Sequence, residues 1–233
     1  MNEEPSFLSA SNQDIIDHLT YRAYAGLARR IPRGVTPNQL TVMNFSCAMV
    51  ACLCLVFVEH AWGLLAAALF FYLYTLFDAL DGIHARLTGQ MSRFGHFLDH
   101  FLDGFTWLFL YFSVILKFSL FSPLFIFLFL LRILMQSFAF LIQVITGELH
   151  LPRLGPTAEA MGYCLGFVIT FFYPEPVFVL SSFLKDQGLL YDLLERNQLI
   201  ELNVIKCILL LYLFGLPQAI LGFLQQARKA AES

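Results

Sequence analysis

The chain has 233 residues, 58% of them hydrophobic and 13% charged, with 26 phenylalanines and a formal net charge of -3. An ordinary soluble domain is about 45 to 50% apolar, so this composition belongs in a bilayer. Without a basic excess, nucleic acid binding lacks its electrostatic footing, and the five cysteines (Cys47, Cys52, Cys54, Cys164, Cys207) sit in apolar stretches with neither metal-ligand spacing nor a disulfide framework.

Residues 1–10 read as a disordered tail, and no charged stub followed by an apolar core marks a cleaved signal peptide. Ser11-Asn-Gln-Asp14 forms a capping box ahead of Ile15, Ile16, Leu19, Ala23, Leu27 and Ile31 at helical spacing, with Arg22, Arg29 and Arg30 among them. That pattern predicts an amphipathic helix on the membrane surface, a helix docked on loops being the alternative; Pro32 and Gly34 end it. Residues 1–35 are thus a tail plus juxtamembrane helix, 36–228 a six-helix membrane domain and 229–233 a second tail.

Thr36 caps the next helix, with Pro37 at its first position and Gln39 completing a capping box. Apolar sequence from Leu40 to about Val58 is long enough to cross the hydrocarbon core. Further spans run from Ala61 to about Arg86, from Gly95 to about Lys117, from Phe121 to Thr146, from Thr157 to about Tyr173 with a continuation after Pro174-Glu-Pro176, and from Leu202 to about Gln225. The prediction is an all-α polytopic membrane protein with six transmembrane helices and both termini on one side. On that side, with the 87–94 link, lie Arg22, Arg29, Arg30, Arg33, Arg86, Arg93, Arg153, Arg228 and Lys229; Lys117, Lys185 and Arg196 lie opposite. The positive-inside rule turns the first group to the cytoplasm, in a membrane the sequence does not name.

The second and third spans carry the chemistry: Asp78, Asp81, Asp99 and Asp103 are four carboxylates in or beside apolar sequence, which marks a functional site. At about 100° per residue, positions 78, 81, 82, 85 and 86 fall within roughly 140° of arc, and 95, 99 and 103 stack on one face of the following helix. Two carboxylate-bearing faces can therefore confront one another. Their repulsion, on the order of several kcal/mol at low dielectric, is ordinarily relieved by hard divalent cations, here one or two Mg²⁺ or Mn²⁺. Gly82 and Gly95 share those faces and let a ligand come close. Arg86 adds a bidentate phosphate partner, and together these groups suggest a diphosphate substrate.

Asp78-x-x-Asp81-Gly82-x-x-Ala85-Arg86, eight residues, Gly95, three, Asp99, three, Asp103 resembles the signature of the CDP-alcohol phosphotransferase family at all eight fixed positions. The resemblance covers about a ninth of the chain. It implies an enzyme that moves a substituted phosphate from a CDP-alcohol to a second alcohol and releases CMP, with membrane lipids around it and a homodimeric assembly. Asp78, Asp81, Asp99 and Asp103 would hold the ions, Gly82, Ala85 and Arg86 would frame the cytidine and its phosphates, Gly95 would leave room opposite, and Asp103 would be the general base. Pro-Asn-x-x-Thr openings similar to Pro37-Asn38-x-x-Thr41 occur in the family, which adds Asn38 and Thr41 as nucleotide contacts, although capping explains that opening nearly as well.

Asp99-His100 is similar to an Asp-His pair in the choline and ethanolamine phosphotransferase branch, so CDP-choline or CDP-ethanolamine with diacylglycerol is the leading substrate pair. By helical angle, however, His100 points about 100° away from Asp99. The alternative is CDP-diacylglycerol with inositol phosphate, glycerol phosphate or serine. Arg132, about ten residues into the fourth span, is a costly mid-bilayer cation that either faces a polar cavity with Gln136 and holds an acceptor phosphate, or pairs with Glu159 or a dimer contact. Arg153 is a further candidate for binding phosphate or a lipid headgroup, and His84 and His96 read as solvated. A cation-coupled transporter is the rival of another class; an intramembrane aspartyl protease would have no use for Arg86 and the glycines.

Overall fold

The computed structural model of the chain describes residues 15–146, 155–180, 189–211 and 228. The expected tails at 1–10 and 229–233, the Ser11–Asp14 cap, Arg153 and most of the expected sixth span lie outside them. Six α-helices come first in chain order: α1 (Ile15–Ala28), α2 (Pro37–Phe57), α3 (Trp62–Thr88), α4 (Arg93–Phe118), α5 (Pro123–Thr146) and α6 (Pro156–Phe172). Among the described residues α2, α3 and α4 are long and apolar enough to cross a membrane, and α5 is apolar over Pro123–Phe138.

Helix α2 starts as its sequence dictates. Thr36 accepts from the Gln39 backbone N–H while the Gln39 side chain accepts from the Thr36 N–H at 2.8 Å, with Pro37 at the first position. The turn into α3 is tight: a Cβ on Gly63 would lie 2.8 Å from the Val58 carbonyl and 2.9 Å from that of Cys54. Gly89, left-handed at φ 70°, ends α3 by returning its N–H to the Ala85 carbonyl, and the Ser92 hydroxyl caps α4 by accepting from the Gly95 N–H. The polar link is thus 89–92 rather than 87–94, because glycine and serine supply the stop and start signals inside the expected stretch.

Of the three long apolar helices, α2 packs on both α3 and α4, and α6 lies against α3. Lipid tails are as apolar as leucine, so such helices associate through close packing of small residues and aromatic fill. Ala48, Ala51, Ala67 and Ala68 occupy the contact, flanked by Phe71, Trp107, Tyr111, Tyr163 and Phe167. A second cluster joins α1 to the site-bearing end: Tyr24, Ala25 and Ala28 pack with Leu40 of α2 and Leu80 and Ile83 of α3. Outward, Phe97, Phe101, Phe105 and Phe109 stack in turn along α4 with ring centroids 5.5, 5.1 and 6.1 Å apart, an apolar face suited to acyl chains.

After α6 the structure corrects the sequence reading. The described residues directly after Pro176, 177–180, are not helical: Phe178–Val179 (β1) pairs antiparallel with Glu201–Leu202 (β2), Phe178 opposite Leu202. Proline offers no N–H and pushes the preceding residue into extended backbone, which favours the strand. The short helix α7 (Leu189–Arg196) lies between the strands in sequence, and residues 204–211 are helical.

Gly63→Ala gains helix propensity, so it stabilises unless the tight turn matters. The turn predicts a loss of about 1 to 3 kcal/mol, seen as a lower melting temperature in detergent. Gly162→Ala, inside α6 and meeting nothing within 4 Å, is the unclashed comparison and should not lower the melting temperature.

Candidate functional site

The last third of α3 and the first turns of α4 bring the carboxylates together, and α2 supplies their partners. Thr41 donates its hydroxyl to Asp81 Oδ2 at 2.6 Å, and the Asn44 amide donates to Asp78 Oδ1 at 2.9 Å. Tyr74, one turn before Asp78, donates to Asp103 Oδ1 at 3.1 Å. These donors are neutral. Asn38, Thr41 and Asn44 recur every third residue and so form one stripe of α2 facing the acids. Sequence reasoning singles out Asn38 and Thr41 but not Asn44 or Tyr74. The signal was available: Asn44 interrupts an apolar run at the spacing of the residues before it.

A cavity of about 260 Å³ opens where the three helices meet. Pro37, Asn38 and Thr41 line it from α2, Asp81, Gly82, Ala85 and Arg86 from α3, and Gly95, His96 and Asp99 from α4, with Gln90, Met91 and Ser92 closing one side. Eight of the residues singled out from sequence therefore share one space, whereas Asp78, Asp103 and His100 are not among its lining residues. Gly95 has a specific reason to lack a side chain, since a Cβ there would sit 2.8 Å from the Asn38 amide oxygen and 3.0 Å from the Ser92 hydroxyl. At Gly82 the nearest atom to an added Cβ is the Arg86 guanidinium at 3.4 Å, so the cationic head lies over the glycine.

Among the described residues, donor atoms of Asp99, His100 and Asp103 lie within 4.8 Å of one another. Asp99 Oδ1 is buried with no hydrogen-bond partner, and the two carboxylates are hard oxygen donors of the kind Mg²⁺ or Mn²⁺ takes, so these carboxylates fit a divalent ion, the imidazole being the softer member of the group. Asp78 and Asp81 fall outside that group, each having an oxygen engaged by an α2 side chain. The His100 ring sits at the seam of α4 and α5. Its Nδ1 is 3.8 Å from Asp99 Oδ2, and the ring packs on His96, one turn back on the same helix, at 4.3 Å and on Phe140 of α5 at 4.8 Å between centroids. The Phe140 contact is one that no angular argument along a single helix contains.

Arg132 lies deeper. Its Nε and a terminal nitrogen donate to Glu159 of α6, the shortest contact being 2.9 Å, and its other terminal nitrogen donates to Gln136 at 2.8 Å. The guanidinium also lies 4.9 Å from the Trp107 ring centroid, and Tyr111 donates to Glu159. The ion pair with Glu159 is thus the arrangement present, and α4, α5 and α6 are tied together there.

Comparison with known proteins gives a consistent picture. The CDP-alcohol phosphatidyltransferase profile matches residues 34–187, a stretch holding all four acids and every cavity residue. An archaetidylinositol phosphate synthase of Pyrococcus horikoshii is 38% identical over 66 residues, 28% of this chain and 33% of that protein. The match thus spans about a third of the relative's length.

The Gly95 geometry predicts that Gly95→Ala displaces the Asn38 side chain from the cavity. Binding of CMP to the full chain, followed by calorimetry, should weaken about tenfold, the loss of roughly one polar contact. Gly104→Ala, also on α4 but meeting nothing within 4 Å, should leave it unchanged.

Proposed function

The chain belongs to the CDP-alcohol phosphatidyltransferase family, and we propose that it is a membrane-embedded transferase moving the phosphoalcohol of CDP-choline or CDP-ethanolamine to the hydroxyl of diacylglycerol, with release of CMP. The observation that carries the reading is the cavity in which carboxylates from facing helices meet an arginine head above one glycine and a second glycine opposite. Arg86 binds the diphosphate through its planar fork. Asn38, Thr41, Gly82, Ala85 and Gly95 frame the nucleotide, the small residues leaving room for its backbone and ring.

Asp99, Asp103 and His100, with Asp78 and Asp81 opposite, would hold Mg²⁺ or Mn²⁺. A bound ion supplies positive charge to the diphosphate and to the departing CMP phosphate. Asp103 accepts the proton of the acceptor hydroxyl, its carboxylate oriented by Tyr74. The acceptor oxygen forms the new P–O bond, the bond from phosphorus to the bridging CMP oxygen breaks, and its electron pair stays on CMP. We place the cavity on the cytoplasmic side, because Arg29, Arg30, Arg33, Arg86 and Arg93 cluster at that end of the helices.

An uncharged acceptor is supported by Arg132. To grip an acceptor phosphate the guanidinium would have to leave Glu159, a carboxylate side chain only 5% exposed, and breaking such a buried pair costs about 3 to 5 kcal/mol. The second reading, CDP-diacylglycerol with a polar alcohol such as inositol phosphate, is favoured by what the Pyrococcus protein is named for.

Purified chain offered radiolabelled CDP-choline, CDP-ethanolamine or CDP-diacylglycerol should release CMP with diacylglycerol and one of the first two. Turnover confined to CDP-diacylglycerol plus inositol phosphate, glycerol phosphate or serine would select the second reading. In the same assay Asp99→Asn should abolish both metal-dependent CMP binding and transfer. Asp103→Asn should keep CMP affinity within a few fold and lose transfer, and parallel loss of both would leave Asp103 a metal ligand with no separate part as base.

A further inference from the structure

The expectation of a solvated His84 is overturned: its side chain is 1% exposed, among the most enclosed in the molecule. It stands on α3 between Asp81 and Ala85, which line the cavity, yet it faces the other way. There its Nε2 lies 2.9 Å from the carbonyl oxygen of Val35. A carbonyl only accepts, so Nε2 carries the proton of this bond, while Nδ1 is buried with no partner.

Val35 directly precedes the cap of α2. Thr36, Pro37 and Asn38 follow it without a break, and Pro37, Asn38 and Thr41 line the cavity. Two residues upstream, the Arg33 carbonyl accepts from the side chain of Gln90 at 3.0 Å, and Gln90 itself lines the cavity. The segment between α1 and α2 is therefore fastened to α3 and to the α3–α4 turn by two side-chain-to-backbone bonds, with Val35 packed against the Leu40, Leu80 and Ile83 cluster behind them. From the far side of α3, His84 fixes where the mouth of α2 stands relative to the acids. We propose that His84 is a positioning residue for the nucleotide pocket: its hydrogen bond to Val35 sets the start of α2, and through it Asn38, against Gly95 and Asp81.

This inference rests on the CDP-alcohol reading for its ligand but not for its mechanical part. A histidine that only fills space would be replaced equally well, or equally badly, by any residue of similar bulk. One that works through its N–H should be rescued by glutamine, whose amide nitrogen can reach where Nε2 stands, and not by methionine.

The experiment compares wild type, His84→Gln and His84→Met as full chains in detergent, by hydrogen–deuterium exchange over residues 39–42 and by calorimetric binding of CMP with Mg²⁺. His84→Met should raise exchange over 39–42 at least about fivefold and weaken CMP binding about tenfold, whereas His84→Gln should stay within about threefold of wild type in both. Unchanged exchange in His84→Met overturns the fastening, and raised exchange with unchanged CMP affinity overturns its role at the pocket. Equal losses in both variants overturn the hydrogen bond as its basis. Wild-type chain that fails to bind CMP at all would count against the CDP-alcohol reading, and the exchange comparison would still decide the fastening.

Discussion

Four carboxylates crowd together among apolar helices, Asp81 buried and Asp78, Asp99 and Asp103 half-buried, and they cannot all be abandoned unpaired, because an isolated buried charge costs several kcal/mol. The fold meets this constraint with dipoles. Thr41, Asn44 and Tyr74 each give one neutral hydrogen bond to one acid, and together they draw on α2 and α3. Such bonds steady a carboxylate without cancelling its charge, so the site keeps a strong negative potential that a divalent ion or a bound cation can exploit. They also make the register of α2 critical. Sliding α2 by one residue would rotate its polar stripe by about 100° and withdraw Thr41 and Asn44 from their acids. The capping box at Thr36, the missing side chain at Gly63 and the His84 contact with Val35 all fix that register, each from a different end or side of the helix.

Much of this arrangement is legible in the sequence, for identifiable reasons. Capping residues announce the start of α2 because their side chains satisfy backbone groups within three residues, a local matter. The acids of α3 and α4 are legible for the same reason: helical periodicity places them, and a short link forces the two faces to meet. Legibility ends where a side chain's position depends on another helix. His100 has the Phe140 ring of α5 packed on it, and Asn44 matters because Asp78 lies across from it. His84 looks like a solvated residue near a helix end, yet it is 1% exposed and bonded to the Val35 carbonyl ahead of α2. Directly after α6 the difficulty is of another kind: apolar composition suggests a continuing helix, yet Pro174 and Pro176 lack the donors it would need, and residues 177–180 are not helical.

Helix α4 shows two treatments of buried charge along one face. Asp99, Asp103, Trp107 and Tyr111 follow at intervals of four, so a single stripe leads from the acid cluster to the Arg132 and Glu159 pair. At the far end charge is cancelled in place. Arg132 has a carboxylate in two-point contact, an amide and an aromatic face, and Glu159 has a tyrosine hydroxyl besides. That group is electrically closed and joins three helices. At the near end Asp103 takes a neutral hydrogen bond from Tyr74, and Asp99, with His100 beside it, keeps one buried oxygen unbonded. Where a buried charge is balanced in place by an opposite charge, the chain has little to offer a ligand. Where carboxylates from two helices crowd beside a cavity, a bound cation can still relieve their mutual repulsion, and the two ends of this stripe differ in that respect.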